Sequence, residues 1–319
     1  MTRIAVTATA IATWSLVLVI SRNLLLHHGF NPWSFSFVQL LAGGLLFALF
    51  PGRSGAEQTP LAHRLRPLTD PRTLLLGLLR VLSASSFTAA VVHVTVSEAS
   101  VIGSISVTLS AISVWVLFKR RPAPWEWLGH GMLIALILIL IPSLDGGWRN
   151  PAILLLVFNE FCVVASSLIA ERHPDNLKDD TSTRVRFTGS VLLVTAALLL
   201  AIRLIDRESG TQFDELVVSL PVPLVVYGII VGITLRAPAM LFSFWSIRLI
   251  GAQNYMAAAA SLPLAGLAMA GIAEYMGLLP VTAVLPQLAN AVLVQLACLM
   301  ILAARWHDER VQQPDHRLG

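Results

Sequence analysis

Ten apolar runs, parted by short polar or turn-rich breaks, occupy most of this chain. They cover residues 4–26, 33–50, 73–94, 99–118, 125–141, 152–170, 187–205, 222–247, 252–276 and 281–304. Most approach the roughly 20 apolar residues that cross the hydrocarbon core of a bilayer as a helix. None alternates apolar and polar positions as the strands of a membrane barrel do. A backbone in lipid must satisfy its N–H and C=O groups within its own segment, so each run is predicted to be helical. The expectation is an all-α membrane protein of about ten transmembrane helices.

A repeat is visible in the pattern. Each half has a long polar loop after its second run, followed by a run holding one arginine: Arg80 in the third and Arg236 in the eighth. In that register the small-residue stretch SEASVIGSISVTLS, from Ser97, falls on QNYMAAAASLPLAG, from Gln253. Five spans is an odd number, so two such halves must lie inverted in the membrane, a recurrent architecture of secondary transporters. The expected organisation is a first five-helix repeat at 1–147, a second at 148–304 and a tail at 305–319. The fourth and ninth runs are rich in small residues, with Ser100, Ser104 and Thr108 spaced four apart. Such helices let backbones approach closely.

Composition agrees. Hydrophobic residues make up 56% of the 319, and only 13% are charged, against about a quarter in soluble domains. Such a chain cannot cover a water-facing surface. The formal charge of +4 does not indicate nucleic acid, because the basic residues stand in clusters between apolar runs. Sixteen of the 22 Lys and Arg fall on one side: Arg3, the segment 53–72, Lys119 to Arg121, the segment 172–186, Arg248 and the tail from Arg305. Arg22, Arg149, Arg203 and Arg207 fall on the other. This bias places both termini in the cytoplasm of a cell inner membrane. The N-terminal run continues past Trp14 without a clean cleavage site and reads as an uncleaved first span. Cys162 and Cys298 lie in apolar runs with no metal spacing and read as buried thiols. Trp33, Trp125, Trp127, Trp148 and Trp306 lie near run ends, as interfacial anchors do, whereas Trp14 lies well inside its run.

The ninth run, IGAQNYMAAAASLPLAGLAMAGIAEY, has a Gly251–Ala252 start, a small-residue stretch, Pro263 and a closing Glu274. The pattern resembles the EamA-type members of the drug/metabolite transporter superfamily. Gly129 and Gly131 in the fifth run, and Trp14 with Arg22 in the first, are similar to positions of that family. The chain departs from the family pattern at Gln39, where many members carry Arg. It departs again at Val107, which faces Pro263 in the repeat, and at Pro286 in the tenth run. The resemblance implies transport, often export, of amino acids and other metabolites.

Ionisable groups inside spans are costly and are functional candidates by default. Arg80, Arg236 and Glu160 lie near mid-depth. One arginine can pair with Glu160, while the other is left to hold a carboxylate or phosphate in its planar fork. Glu160 would balance or couple charge, and Trp14 would supply an apolar or cation-accepting wall. Gln39, Gln287 and Asn290 add neutral hydrogen-bonding groups, equally suited to joining helices. Pro238, Pro263 and Pro286 cannot bond the carbonyls of Thr234, Ala259 and Thr282, and freed carbonyls at mid-depth can line a cavity.

No phosphate-cradling GxxxxGK[ST], HExxH or GxSxG appears. The chain therefore reads as a non-enzyme without cofactor. Its partners would be a small-molecule substrate and the lipid bilayer, with a homodimer open. The expected function is a secondary transporter, an exporter by resemblance, of an amino acid or another organic anion or zwitterion. Rival classes are an integral-membrane enzyme acting on lipid or glycan, which would need clustered Asp, His or Arg at a membrane face, and a non-transporting scaffold, which would need no arginines at mid-depth.

The charge bias makes topology testable. Reporter fusions or cysteine labelling should place residue 1, the loop 119–121 and the tail after Arg305 in the cytoplasm, and the connection 206–215 outside. Labelling of the tail and of 206–215 from the same face would refute the count of ten spans.

Overall fold

Apolar runs that satisfy their own backbone have only one choice, and the computed structural model is helical throughout, with no strand among the described residues. It describes residues 2–50, 66–90, 93–208, 220–275 and 285–312. The helices are α1 (Arg3–His28), α2 (Pro32–Ala48), α3 (Pro71–Ala90), α4 (Val96–Gly103), α5 (Ile105–Phe118), α6 (Glu126–Leu140) and α7 (Pro151–Glu171). After a one-turn helix at Pro174–Leu177 come α8 (Thr181–Glu208), α9 (Val222–Val231), α10 (Ala237–Ile250), α11 (Ala252–Ala259), α12 (Leu262–Tyr275) and α13 (Leu285–Gln312). Nine apolar segments among the described residues are long enough to cross a bilayer, counting α4–α5, α9–α10 and α11–α12 as single broken spans, and the shorter α2 is the tenth apolar helix.

Local chemistry sets the ends. Asn31 and Asn150 cap α2 and α7, each followed by a proline whose missing N–H is no loss in a first turn. Thr95 and Glu98 form a reciprocal capping box on α4, which gives Glu98 a structural task. Asp180 starts α8 about six residues before its apolar run. Its carboxylate accepts from Ser182 N at 3.1 Å and Thr183 N at 2.9 Å. The Ser182 and Thr183 hydroxyls donate to it as well, and together these bonds hold its acidity well below the usual carboxylate range. Nearby His173 is buried and stacked on Phe187, and this burial pushes its basicity down.

Three spans are broken. At the junction of α4 and α5 the Ser104 N–H reaches the Ser100 carbonyl at 3.1 Å and the Val101 carbonyl at 3.2 Å. The Ser104 and Ser106 hydroxyls bond back to the carbonyls of Val101 and Gly103. Between α11 and α12 the chain breaks at Ala260–Ser261, ahead of Pro263. The register that sets Arg80 against Arg236 sets Ser104 against Ala260, so the two breaks fall at matching positions although only one lies beside a proline. Pro238 produces a π turn at Gly232–Arg236, in which the Ala237 N–H bonds the Gly232 carbonyl, rather than a simple kink.

The packing is orderly. α1 lies on α10 and α3 on α7; α4 lies on α7 and α12 on α1; α2 lies on α9 and α8 on α3. α2 also lies on α8, α5 on α11 and α6 on α13. Exchanging the first five spans for the second five leaves this set of pairs unchanged. Small residues permit the closest crossings. A Cβ on Gly189 of α8 would come within 2.2 Å of the Ala48 amide of α2, and one on Gly232 within 2.4 Å of the Gln39 carbonyl. Gly129 of α6 similarly admits Ile301 and Ala297 of α13.

Filling the α2–α8 crossing should therefore force the helices apart. Gly189→Val is expected to cost on the order of 1–3 kcal/mol, read as a lower melting temperature in detergent. Gly131→Val, whose Cβ would meet nothing within 4 Å, should melt close to wild type.

Candidate functional site

A cavity of about 450 Å³ lies among α1, α2, α3, α4, α7, α8, α10, α11 and α12. Arg80, Arg236, Glu160 and Trp14, drawn from four different spans of the sequence, all line it. It extends from these groups towards the end of the bundle where α2 begins and α3 ends, since Pro32, Trp33, Phe87 and Thr88 also line it. Trp33 is thus a cavity wall rather than an interfacial anchor, whereas Trp125, Trp148 and Trp306 stay exposed on the outer surface.

The arginine–glutamate pair anticipated in the sequence does not form. Among the described residues neither Arg80 nor Arg236 makes an ion pair or hydrogen bond, and the Nε atom of each is buried without a partner. Each guanidinium instead faces an aromatic ring. Arg236 stands 4.8 Å from the centre of Trp14, and Arg80 5.3 Å from that of Phe244. Such contacts attract a cation to the electron-rich face without neutralising it. The cation that Trp14 accepts is therefore one of the protein's own.

Glu160 is held separately. Its Oε1 accepts from Asn159 Nδ2 at 2.6 Å, and Asn159 Oδ1 accepts from the Ser83 hydroxyl at 2.6 Å. Beside it, Gly103 leaves room for the carboxylate, since a Cβ there would lie 3.1 Å from Oε1. The break after Gly103 thus brings backbone of the fourth span to the one acidic side chain among the cavity's described lining residues.

Below the arginines the cavity has a floor. Ser243 Oγ accepts from Trp14 Nε1 at 2.7 Å and from the Tyr255 hydroxyl at 2.7 Å, and donates to the Ala239 carbonyl at 2.7 Å. One hydroxyl therefore joins α1, α10 and α11. Nearer the opposite end, where α1 begins and α10 ends, Thr7 and Ser246 share a hydrogen bond of 2.6 Å.

Residues 2–141 match the EamA-like transporter family. That family is part of the drug/metabolite transporter superfamily. The matched EamA-like half holds Trp14, Arg80 and the α4–α5 break. Arg236, Glu160 and the floor serine come from the remainder of the chain. A solved crystal structure shares the fold over 95% of this chain and 98% of its own, with a TM-score of 0.60 and 18% identity. No curated protein matches the sequence.

Not every residue singled out in the sequence reaches the cavity. Gln39 is buried at the α2–π-turn crossing and donates to the Ser21 hydroxyl at 3.3 Å; it joins helices and does not line the site. Asn290 on α13 is likewise outside the lining. The side chains of Gln287 and Pro286 lie outside the described residues. Sequence reasoning missed Asn159, Ser166, Ser167, Ser243 and Tyr255. A signal existed for three of these: Asn159, Glu160, Ser166 and Ser167 fall on one helical face of an otherwise apolar run. Ser243 and Tyr255 carry no such pattern.

Removing the floor hydroxyl would leave two buried donors without an acceptor. Ser243→Ala should cost about 1–3 kcal/mol, seen as a lower melting temperature. Tyr255→Phe, which strands no donor, should cost less. Equal melting of Ser243→Ala and wild type would show that the floor bonds are replaced by water.

Proposed function

We propose that this EamA-like protein is a secondary transporter that exports a small organic anion or zwitterion, such as an amino acid, across a cell inner membrane. The two halves, 1–147 and 148–304, act as inverted repeats that rock around the shared cavity, with the tail 305–319 in the cytoplasm. The observation that carries the reading is the pair of cavity-facing guanidiniums that find no carboxylate partner among the described residues. A cation in lipid is tolerated inside a bundle or beside a water-filled path, and two of them at equivalent places in the halves make a site for a carboxylate or phosphate. The planar fork of arginine matches such a group with two parallel hydrogen bonds.

The remaining lining fits a zwitterion. Glu160, held by Asn159 away from the arginines, offers an acceptor for an ammonium group or a proton that travels with the substrate. The wall between is largely apolar, with Trp33, Phe87, Leu199 and Met240. In this reading the structure faces outward. The cavity runs to the end opposite the basic loops, and the bonds at Ser243 and Thr7 close the cytoplasmic side. Alternating access requires those bonds to break and the far side to close.

The arginines test this directly. Arg80→Lys and Arg236→Lys keep charge but lose the fork, so each should insert normally and transport poorly in proteoliposomes loaded with a metabolite panel. A tenfold loss or more is expected, and Arg→Ala should do no better. Near-wild-type transport by both alanine variants at equal expression would remove the substrate-binding role and leave the fold untouched.

A further inference from the structure

A second pocket, about 630 Å³, opens at the opposite end of the bundle, under the floor of the central cavity. Its walls come from both halves. The first half supplies Lys119, Arg120 and Arg121, in the turn after α5, and Glu126 at the start of α6. The second supplies Glu171 and Arg172 at the end of α7, the 250–254 junction of α10 and α11, and Arg305 with Asp308 on α13. Lys119 adopts a left-handed conformation with φ 58°, which ends α5 and starts the basic turn.

The acidic groups in this pocket are largely committed. Glu126 accepts from Arg305 Nε at 2.7 Å and from the Ala123 amide at 3.0 Å. Glu171 accepts from the Ala252 amide at 3.0 Å, where the chain turns into α11. Arg305 also donates to Asn254 at 2.9 Å. On the basic side, Lys119, Arg120, Arg121 and Arg172 make no ion pair among the described residues. Arg172 is held in place by the Phe118 ring, 3.6 Å from its guanidinium carbon. Glu126 and Glu171 are thus fixed at the base of the pocket and Asp308 is engaged as well, while Lys119, Arg120, Arg121 and Arg172 stand around them without an ion pair among the described residues.

We propose that this pocket binds a phosphate-bearing anion, which bridges the basic turn of the first half to Arg172 of the second. The site rests on the transporter reading only for its placement in the cytoplasm and for its consequence. A dianionic phosphate satisfies guanidinium forks bidentately and lowers the mutual repulsion of the cations. It also ties residues of both halves across the seam that must part for the central cavity to open inward. A ligand that binds one conformation better shifts the population towards it, so the anion favours the outward-facing state. The same chemistry could come from a soluble phosphate compound or from the headgroup of an anionic lipid.

Titration of purified protein in neutral phosphatidylcholine nanodiscs with inorganic pyrophosphate, followed by calorimetry and melting temperature, tests the site. Saturable binding with a rise in melting temperature is expected. The double variant Arg120→Gln/Arg121→Gln and the single variant Arg172→Gln should each weaken it at least tenfold, while Arg236→Ala, in the central cavity, should leave it unchanged. Nanodiscs containing phosphatidylglycerol distinguish the source. If the lipid headgroup is the occupant, they raise the melting temperature of wild type but not of the variants and suppress pyrophosphate binding. If the occupant is soluble, pyrophosphate binds equally in both lipids. Absence of saturable pyrophosphate binding and of any lipid-dependent stabilisation would overturn the proposal, as would binding unaffected by the pocket variants. Loss of binding in Arg236→Ala would also overturn it, by moving the ligand to the central cavity. All these readouts are independent of transport, so failure of the transport assay and failure of this site are separable.

Discussion

Between apolar helices in lipid there is no hydrophobic force to speak of, because acyl chains are as apolar as leucine. Association must come from close contact, and close contact requires backbones that can approach. The positions that meet this constraint are few and specific: Gly189 against Ala48, Gly232 against the Gln39 carbonyl, and Gly129 against Ile301. These crossings hold α2 to α8 and to the π turn, and α6 to α13. α1, α3, α7 and α10, with the inner faces of α2 and α8, are left to surround a space they do not fill. The cavity is thus a by-product of where small residues allow contact and where larger ones hold helices apart.

The sequence made the helices legible because lipid removes alternatives: an apolar run of sufficient length has to be a helix. It also made Arg80, Arg236, Glu160 and Trp14 legible, since a charge or indole deep in such a run has few places to go. What it could not show was partnership. Arg236 and Glu160 share the cavity yet do not pair, because Glu160 is engaged by Asn159 and Arg236 by the face of Trp14. Pairing depends on side-chain direction across four helices, and one-dimensional spacing does not carry it. For the same reason Gln39, a polar residue in a span like the others, proved to be a joint between helices. Ser243 was invisible because a serine in a helix commonly bonds back to the carbonyl one turn earlier, as it does to Ala239; its two incoming donors come from other helices.

The breaks at Ser104 and Ala260 show two sequences reaching one geometry. Proline removes a donor near one, whereas serine hydroxyls compete for the carbonyls at the other. Proline was the stronger signal in the sequence, yet both breaks deliver backbone to the cavity. A search for broken spans by proline alone finds half of the arrangement.

The π turn at Gly232–Arg236 has a geometric corollary. Such a turn carries one residue more than the helix around it needs, and that surplus is topologically like a wrinkle in a carpet. Passing it one position along the helix turns each residue it crosses by about 100° and leaves both ends of the span in place. Arg236 stands at the trailing edge of the wrinkle. The direction of its guanidinium, towards the ring of Trp14, is therefore set by where the surplus residue sits and not by the ends of the span at Val222 and Ile250.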